Sequence, residues 1–135
     1  MHNNINILKS INRLGKWTLS LVFIGSGLIP LFLSDPIERL KLLQYFPFPE
    51  TWHLPLFYTL VSLDILCGLL ILIYTHRIIW LTLLFVSLGY TIMISLFAPD
   101  LWRDPFGTLL KNLPIVSWLI VMIWLNPAEP KLYSK

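Results

Sequence analysis

The segment WHLPLFYTLVSLDILCGLLILIY, residues 52–74, is apolar along almost its whole length and contains a single acidic residue, Asp64. About 20 consecutive apolar residues cross the hydrocarbon core of a bilayer as an α-helix. A helix also satisfies its backbone N–H and C=O groups internally, which the bilayer interior requires. The segment therefore predicts a transmembrane helix.

Three further apolar runs surround this segment, at residues 17–33, 78–98 and 109–125. The chain is 56% hydrophobic and 13% charged, whereas soluble domains carry roughly 25% charged residues. Short connections favour antiparallel neighbours. We predict an all-α fold, an integral membrane four-helix bundle of up-down-up-down topology at residues 17–126, between an N-terminal segment at 1–16 and a tail at 127–135.

The distribution of lysine and arginine predicts the orientation, because these residues concentrate in cytoplasmic loops. Six of them lie on the side that holds both termini and four on the other side. We therefore predict a multi-pass protein of the inner (cytoplasmic) membrane with both termini in the cytoplasm. The net charge of +3 is small and dispersed, so the lipid bilayer is an expected partner and nucleic acid is not.

Tryptophan and tyrosine should mark the two membrane–water interfaces. The expected belts are Trp17, Tyr74, Trp80 and Trp124 at the end with the termini, and Tyr45, Trp52 and Trp102 at the other end. Their positions at the ends of the four apolar runs support the predicted spans.

The first outer loop, DPIERLKLLQYF at residues 35–46, has the pattern of a short helix. Pro36 follows Asp35, and proline is favoured at the first position of a helix. An apolar stripe would oppose the charged residues at 38, 39 and 41 and would lie on the membrane surface. The stripe would consist of Ile37, Leu40, Leu43 and either Tyr45 or Phe46.

Asp64 lies near the middle of its predicted span, where an ionised side chain facing lipid costs several kcal/mol. Such a residue is a candidate for a proton or ligand role, and the alternative is that it fixes helix packing. On a helical wheel it shares a face with five residues, of which the small ones would admit a neighbouring helix. That face consists of Phe57, Leu60, Val61, Cys67 and Gly68.

Two further spans offer polar side chains that could accompany Asp64. Ser87, Tyr90, Thr91 and Ser95 recur at helical spacing in the third span, and helix packing would also explain them. Lys111 and Asn112 lie one turn inside the predicted fourth helix. Lys111 either anchors that helix at the interface or reaches an acidic or carbonyl partner in the mouth of the bundle.

Pro30 interrupts the first span, because proline removes a backbone hydrogen bond from a helix. A structural kink and a break that lines a cavity are both consistent with it. The turn before the fourth span, DPFG at residues 104–107, has residues that cap helices and preset turns.

No catalytic signature can be assembled from the remaining residues. His2, His53 and His76 lack metal-ligand spacing, so no metal site is predicted, and they are interpreted as interfacial. The single cysteine, Cys67, excludes an internal disulfide. The chain is therefore not predicted to be an enzyme on its own.

Three short stretches nevertheless resemble the DoxX-like family of small four-helix membrane proteins. They are GSGLIP followed by SDP, the acidic residue shortly before CGLLIL, and PDLWRDPFGTLLKNLP. The resemblance covers roughly residues 19–125 and implies an inner-membrane bundle with a weak link to quinone-dependent redox systems. Two departures are Leu31, where members often have lysine, and Asp64, where glutamate is more common.

The resemblance and the residues together suggest an accessory or redox-associated subunit with an outward-opening quinone or lipid cavity. The candidate site comprises Pro30, Asp64, Tyr90, Lys111 and Asn112, and the outer-loop motif comprises Asp35, Asp104, Pro105, Phe106 and Gly107. The partner would be a membrane or soluble oxidoreductase. The alternatives are a membrane subunit of a quinone-linked oxidoreductase and a small-solute or proton transporter.

Overall fold

The computed structural model describes residues 2–74, 76–103, 110 and 112–126. Within these residues every regular element is helical, which confirms the predicted all-α fold. The α-helices are α1 (His2–Phe32), α2 (Pro36–Lys41), α3 (Glu50–Ile73), α4 (Arg77–Phe97) and α5 (Asn112–Leu125), with 3-10 turns at Leu43–Tyr45 and Pro99–Trp102. Three of them are long and apolar enough to span a bilayer: α1 from Asn6, α3 and α4.

Two elements differ in extent from the predicted spans. Helix α5 is a shorter apolar helix of 14 residues, and residues 104–109 and 111, where the fourth span was expected to begin, lie outside the described part of the chain. Helix α1 extends back to His2, through the segment that was predicted to precede the span. At Gly15, within this segment, a Cβ atom would come within 2.6 Å of Met122 Sδ on α5. Helix α5 thus packs against the early turns of α1.

Helices α1, α3, α4 and α5 form a ring in chain order. Helix α1 packs along α3, α4 packs along α5, and α1 touches α5 to close the ring, whereas α3 and α4 approach each other over a shorter length. We call the end that holds Asn12, Arg77 and Asn126 the terminal end, and the end that holds α2 and both 3-10 turns the loop end. The predicted up-down-up-down topology is therefore present.

Each end of the bundle has its own apolar core. The terminal core draws on α1, α3, α4 and α5. It contains Leu19, Phe23, Cys67, Ile71, Trp80, Leu83, Leu119, Met122 and Ile123. The loop core is built from the first loop, α3 and the end of α4, and it contains Leu43, Phe46, Phe57, Val61, Ile94 and Ala98. Along the sequence of α3, the polar residue Asp64 lies between the residues that belong to these two clusters.

The contact between α1 and α3 depends on glycine. A Cβ atom on Gly68 would lie 2.5 Å from Ile24 Cγ1 and 3.0 Å from the backbone oxygen of Ser20. One on Gly27 would lie 2.6 Å from Ile65 Cγ1. Small residues let helix backbones approach closely in membranes, so these two glycines set the α1–α3 distance. The predicted approach of a neighbour at Gly68 is confirmed.

The first loop forms the expected short helix. Asp35 precedes α2 and Pro36 occupies its first turn, although the Asp35 side chain makes no capping hydrogen bond. Leu43 and Phe46 are buried, so Phe46 rather than Tyr45 completes the apolar stripe. Ile37 is 83% exposed, so it does not join that packing.

One member of the predicted aromatic belts is wrong. Trp80 is fully buried at the centre of the terminal core, whereas the other six belt residues are exposed. The position of Trp80 near the start of α4 suggested an interface residue. The Trp80 ring instead faces inward from the first turn of α4 and belongs to the same buried cluster as residues of α1, α3 and α5.

Candidate functional site

Asp64 forms the centre of the candidate site. It lies 14 residues after the start of α3, or about 21 Å along the helix at 1.5 Å per residue, and its side chain is half-buried. Its Oδ2 atom lies 2.9 Å from the Ser26 hydroxyl of α1. The contact crosses from one helix to the next at mid-membrane depth, and Ser26 itself is exposed on the surface of the bundle. A molecule from outside the bundle can therefore reach this pair.

Ser26 makes a second contact, since its Oγ atom also lies 2.9 Å from the backbone oxygen of Phe23. A serine hydroxyl carries one proton. When Asp64 is ionised, that single proton is shared between two acceptors, the Phe23 carbonyl and the Asp64 carboxylate. When Asp64 is protonated, it donates a hydrogen bond to Ser26 Oγ, and the Ser26 hydroxyl donates to the Phe23 carbonyl. The hydrogen bonding of the pair thus depends on the proton of Asp64.

Pro30 adds an acceptor next to this pair. It lies inside α1, and because proline has no N–H group, the carbonyl of Ser26 loses its helical donor four residues later. The helix continues to Phe32 beyond this point. Pro30 therefore contributes to the site by freeing the Ser26 carbonyl rather than by ending the helix.

Tyr90 and Cys67 lie within electrostatic range of the Asp64 carboxyl group. Tyr90 is 39% exposed, so part of its ring is accessible at the bundle surface, whereas Cys67 is buried and not in a disulfide. Asp64 of α3 and Tyr90 of α4, two members of the predicted site, therefore lie within electrostatic range of each other, and Ser26 of α1 contacts Asp64 directly.

Asn112 belongs to a separate polar contact between α4 and α5. Its Nδ2 atom donates to Thr91 Oγ1 at 3.1 Å, and Thr91 donates in turn to the backbone oxygen of Ser87 at 2.8 Å. One turn further along, Trp102 Nε1 donates to Ser95 Oγ at 3.1 Å. Thr91 of the polar stripe therefore contributes to packing between α4 and α5, and Ser95 contacts the 3-10 turn that follows α4.

Several predicted site residues cannot be placed. Lys111 and the motif residues Asp104, Pro105, Phe106 and Gly107 lie outside the described residues. Of the outer-loop motif, Asp35 is described, and it is exposed at the start of α2.

A cavity of about 660 Å³ lies at the loop end, and the sequence did not indicate it. It is lined by Leu40, Gln44, Phe46, Phe48, Glu50 and His53. His53 is 7% exposed, and its Nε2 atom lies 3.2 Å from the backbone oxygen of Phe48. The histidine is therefore buried under the loop rather than lying in the interface as expected, because Phe46 and Phe48 fold over it.

Within the described residues no group of three histidine, cysteine, aspartate or glutamate side chains could hold a metal ion. Ser26 is a partner of Asp64 that the sequence did not predict. The available signal was its place between Gly25 and Gly27, since small residues permit a close helix contact. Which side chain meets Asp64, however, depends on the rotation of α1 about its axis.

Comparison with known proteins gives one result. A search of curated proteins found no match, and neither did a search of solved structures. The family model of the DoxX-like family matches residues 20–124, which include Ser26, Asp64, Tyr90 and Asn112. Because this match covers well over half of the sequence, the chain belongs to the DoxX-like family.

Proposed function

We propose that this membrane protein is a redox-associated accessory subunit that binds the head group of a quinone, or of a lipid, beside the Asp64–Ser26 pair. The observation that carries the proposal is the 2.9 Å contact between these side chains, which is polar, deep in the apolar spans and exposed. Polar groups inside a membrane are costly and mark functional sites by default. The assignment to a redox system rests on the family and on this chemistry.

The residues present fit a quinone head group. A quinone offers carbonyl acceptors in an otherwise apolar molecule, and its reduction consumes protons. The Ser26 hydroxyl and a protonated Asp64 supply donors, the freed Ser26 carbonyl supplies an acceptor, and Tyr90 supplies a further hydroxyl at an accessible position. The surrounding α1–α3 surface is apolar, which suits a ligand that arrives through the bilayer.

Direct titration tests this proposal. The purified full chain in neutral detergent would be titrated with a short-tailed benzoquinone, and binding measured by equilibrium dialysis. Asp64→Asn and Ser26→Ala should each weaken binding by about tenfold, the usual effect of losing a hydrogen bond to a polar ligand group. Ser62→Ala is the matched control, because Ser62 is an exposed serine of α3, two residues before Asp64.

Two outcomes would contradict the proposal. One is the absence of saturable binding to the wild-type chain. The other is an equal loss in the Ser62→Ala control, which would mean that the polarity of α3 in general, rather than the pair, governs binding. Co-purification of an oxidoreductase subunit after gentle extraction tests the accessory role separately.

A second candidate is that the chain acts as the membrane subunit of a quinone-linked oxidoreductase, in which Asp64 exchanges the proton. The shared Ser26 hydroxyl favours it, because the hydrogen bonding of the pair changes when Asp64 gains or loses a proton. Infrared difference spectra during quinone turnover should show a protonated carboxyl band that disappears in Asp64→Asn. If Asp64→Asn leaves turnover and the spectrum unchanged, Asp64 exchanges no proton. Proton or solute uptake into vesicles without any redox partner would instead favour a transporter.

A further inference from the structure

A second cavity lies at the terminal end, far along α1 from Ser26. It has a volume of about 450 Å³, within the range of roughly 300–1,000 Å³ for small-molecule sites. Its lining is Lys9, Asn12, Arg13, Lys16 and Trp17 of α1 and Leu72 of α3. The five α1 residues recur at spacings of three and four, so they share one helical face.

The described residues that line this cavity carry charge of one sign. Three of these six residues are cationic and none is acidic. Helix α1 itself contains no aspartate or glutamate, since the first acidic residue of the chain is Asp35. Lys9 and Arg13 are exposed, so their charged groups are accessible to a ligand. A cavity with this lining is suited to an anion.

The wall of the cavity is held in place by a contact between distant parts of the chain. Asn12 and Asn126 exchange two hydrogen bonds, each of 3.1 Å, and Asn126 also donates to the backbone oxygen of Met122 at 2.9 Å. This reciprocal pair fastens α1 to α5 beside the cavity. The cationic face of α1 is therefore fixed relative to the bundle.

The apolar side of the cavity indicates which anion it takes. Trp17 is 55% exposed and Leu21, one turn further into the span, is 67% exposed. Leu72 closes the cavity from α3. The cationic lining thus continues directly into lipid-facing apolar surface, as an amphiphile with an anionic head and acyl chains requires. A free phosphate ion has no apolar part that could contact that surface.

We infer that this cavity, here called the basic cavity, binds the phosphate head group of an anionic phospholipid. Lys9 and Arg13 pair with the phosphate, and Trp17 lies at the level where its chains enter the bilayer. Basic pockets between transmembrane helices recognise such head groups by the same chemistry. The site is distinct from the Asp64–Ser26 pair and does not depend on a quinone.

Native mass spectrometry of the full chain in neutral detergent tests the inference. Phosphatidylglycerol and phosphatidylcholine with identical acyl chains would be added in parallel, and phosphatidylglycerol should be retained preferentially. Lys9→Gln combined with Arg13→Gln should weaken its binding by about fivefold for each neutralised cation. The charge-retaining combination of Lys9→Arg with Arg13→Lys should keep it.

Arg77→Gln is the matched control, because Arg77 is an exposed cation at the terminal end that does not line the cavity. Its binding of phosphatidylglycerol should equal that of the wild type. Equal retention of both lipids, or no loss in the neutralised variant, would overturn the inference. Displacement of the lipid by millimolar inorganic phosphate would assign the cavity to a soluble phosphate compound and overturn it as well.

Discussion

Two serines of α1 reach across to α3 less than two helical turns apart, in very different surroundings. Ser20 is 1% exposed, and its hydroxyl donates to the backbone oxygen of Gly68 at 2.9 Å. Ser26 is exposed, and its hydroxyl contacts the Asp64 side chain at the same distance. The first contact is sealed and ends on a backbone group that cannot change. The second is accessible and ends on a group that can gain or lose a proton.

The comparison teaches how one helix pair can combine a fixed joint with a reactive contact. Gly68 packs directly against the α1 backbone at Ser20, which is 1% exposed, so ligand and solvent are excluded there. The backbones approach as closely beside Ser26, at Gly27, but the Ser26 side chain lies on the exposed side of α1, and Pro30 frees a carbonyl beside it. We therefore expect substitutions at the fixed joint to alter stability and substitutions at the second contact to alter ligand binding.

The largest expected effect comes from filling the joint. Gly68→Ala should lower the free energy of unfolding by roughly 1–3 kcal/mol, because the new methyl group would meet backbone atoms of α1 that cannot yield. The measurement is equilibrium unfolding in mixed detergent micelles. The control is Gly89→Ala, because a Cβ atom at that position has nothing within 4 Å. This substitution should stabilise α4 by about 0.5–1 kcal/mol. Equal effects at the two glycines would refute close packing at Gly68.

The next effect tests the sealed hydrogen bond. Ser20→Ala should lower the free energy of unfolding by about 1 kcal/mol, since it removes one buried hydrogen bond without opening a large cavity. Quinone binding should not change. If Ser20→Ala weakens binding as strongly as Ser26→Ala does, the two contacts are not separate in function.

A smaller effect is expected where α1 meets α5. Asn12→Ala and Asn126→Ala, combined in a double-mutant cycle, should give a coupling energy of about 0.6 kcal/mol, the average for polar contacts between membrane helices. A coupling energy of zero would mean that the reciprocal pair does not fasten the two helices.

The smallest effect on stability is expected at the accessible contact. Ser26→Ala should change the free energy of unfolding by less than about 0.5 kcal/mol, as is usual for exposed positions. The same variant should weaken quinone binding by about tenfold. A large loss of stability with intact binding would reverse the comparison and make Ser26–Asp64 the structural contact.

Individual residues show where prediction from the sequence succeeded. Asp64 was identified because its cost inside an apolar span depends only on its place in the chain. Pro36 predicted the start of α2 because proline acts on its own backbone. Trp80 was misplaced, since its sequence position at a helix end gives no information about which way the indole ring faces. His53 was misplaced for a similar reason, because the phenylalanines that cover it come from a loop.

The sequence by itself determined that this chain forms apolar helices that cross a membrane, because length, hydropathy and internal hydrogen bonding act within each segment. Only the tertiary structure decided that Ser20 is sealed and Ser26 accessible, that Asn12 meets Asn126, and that Leu72 closes a cavity on the cationic face of α1. These features depend on the rotation and register of helices about their axes. Rotation and register are set by packing between residues that are distant in the chain, and no local pattern encodes them.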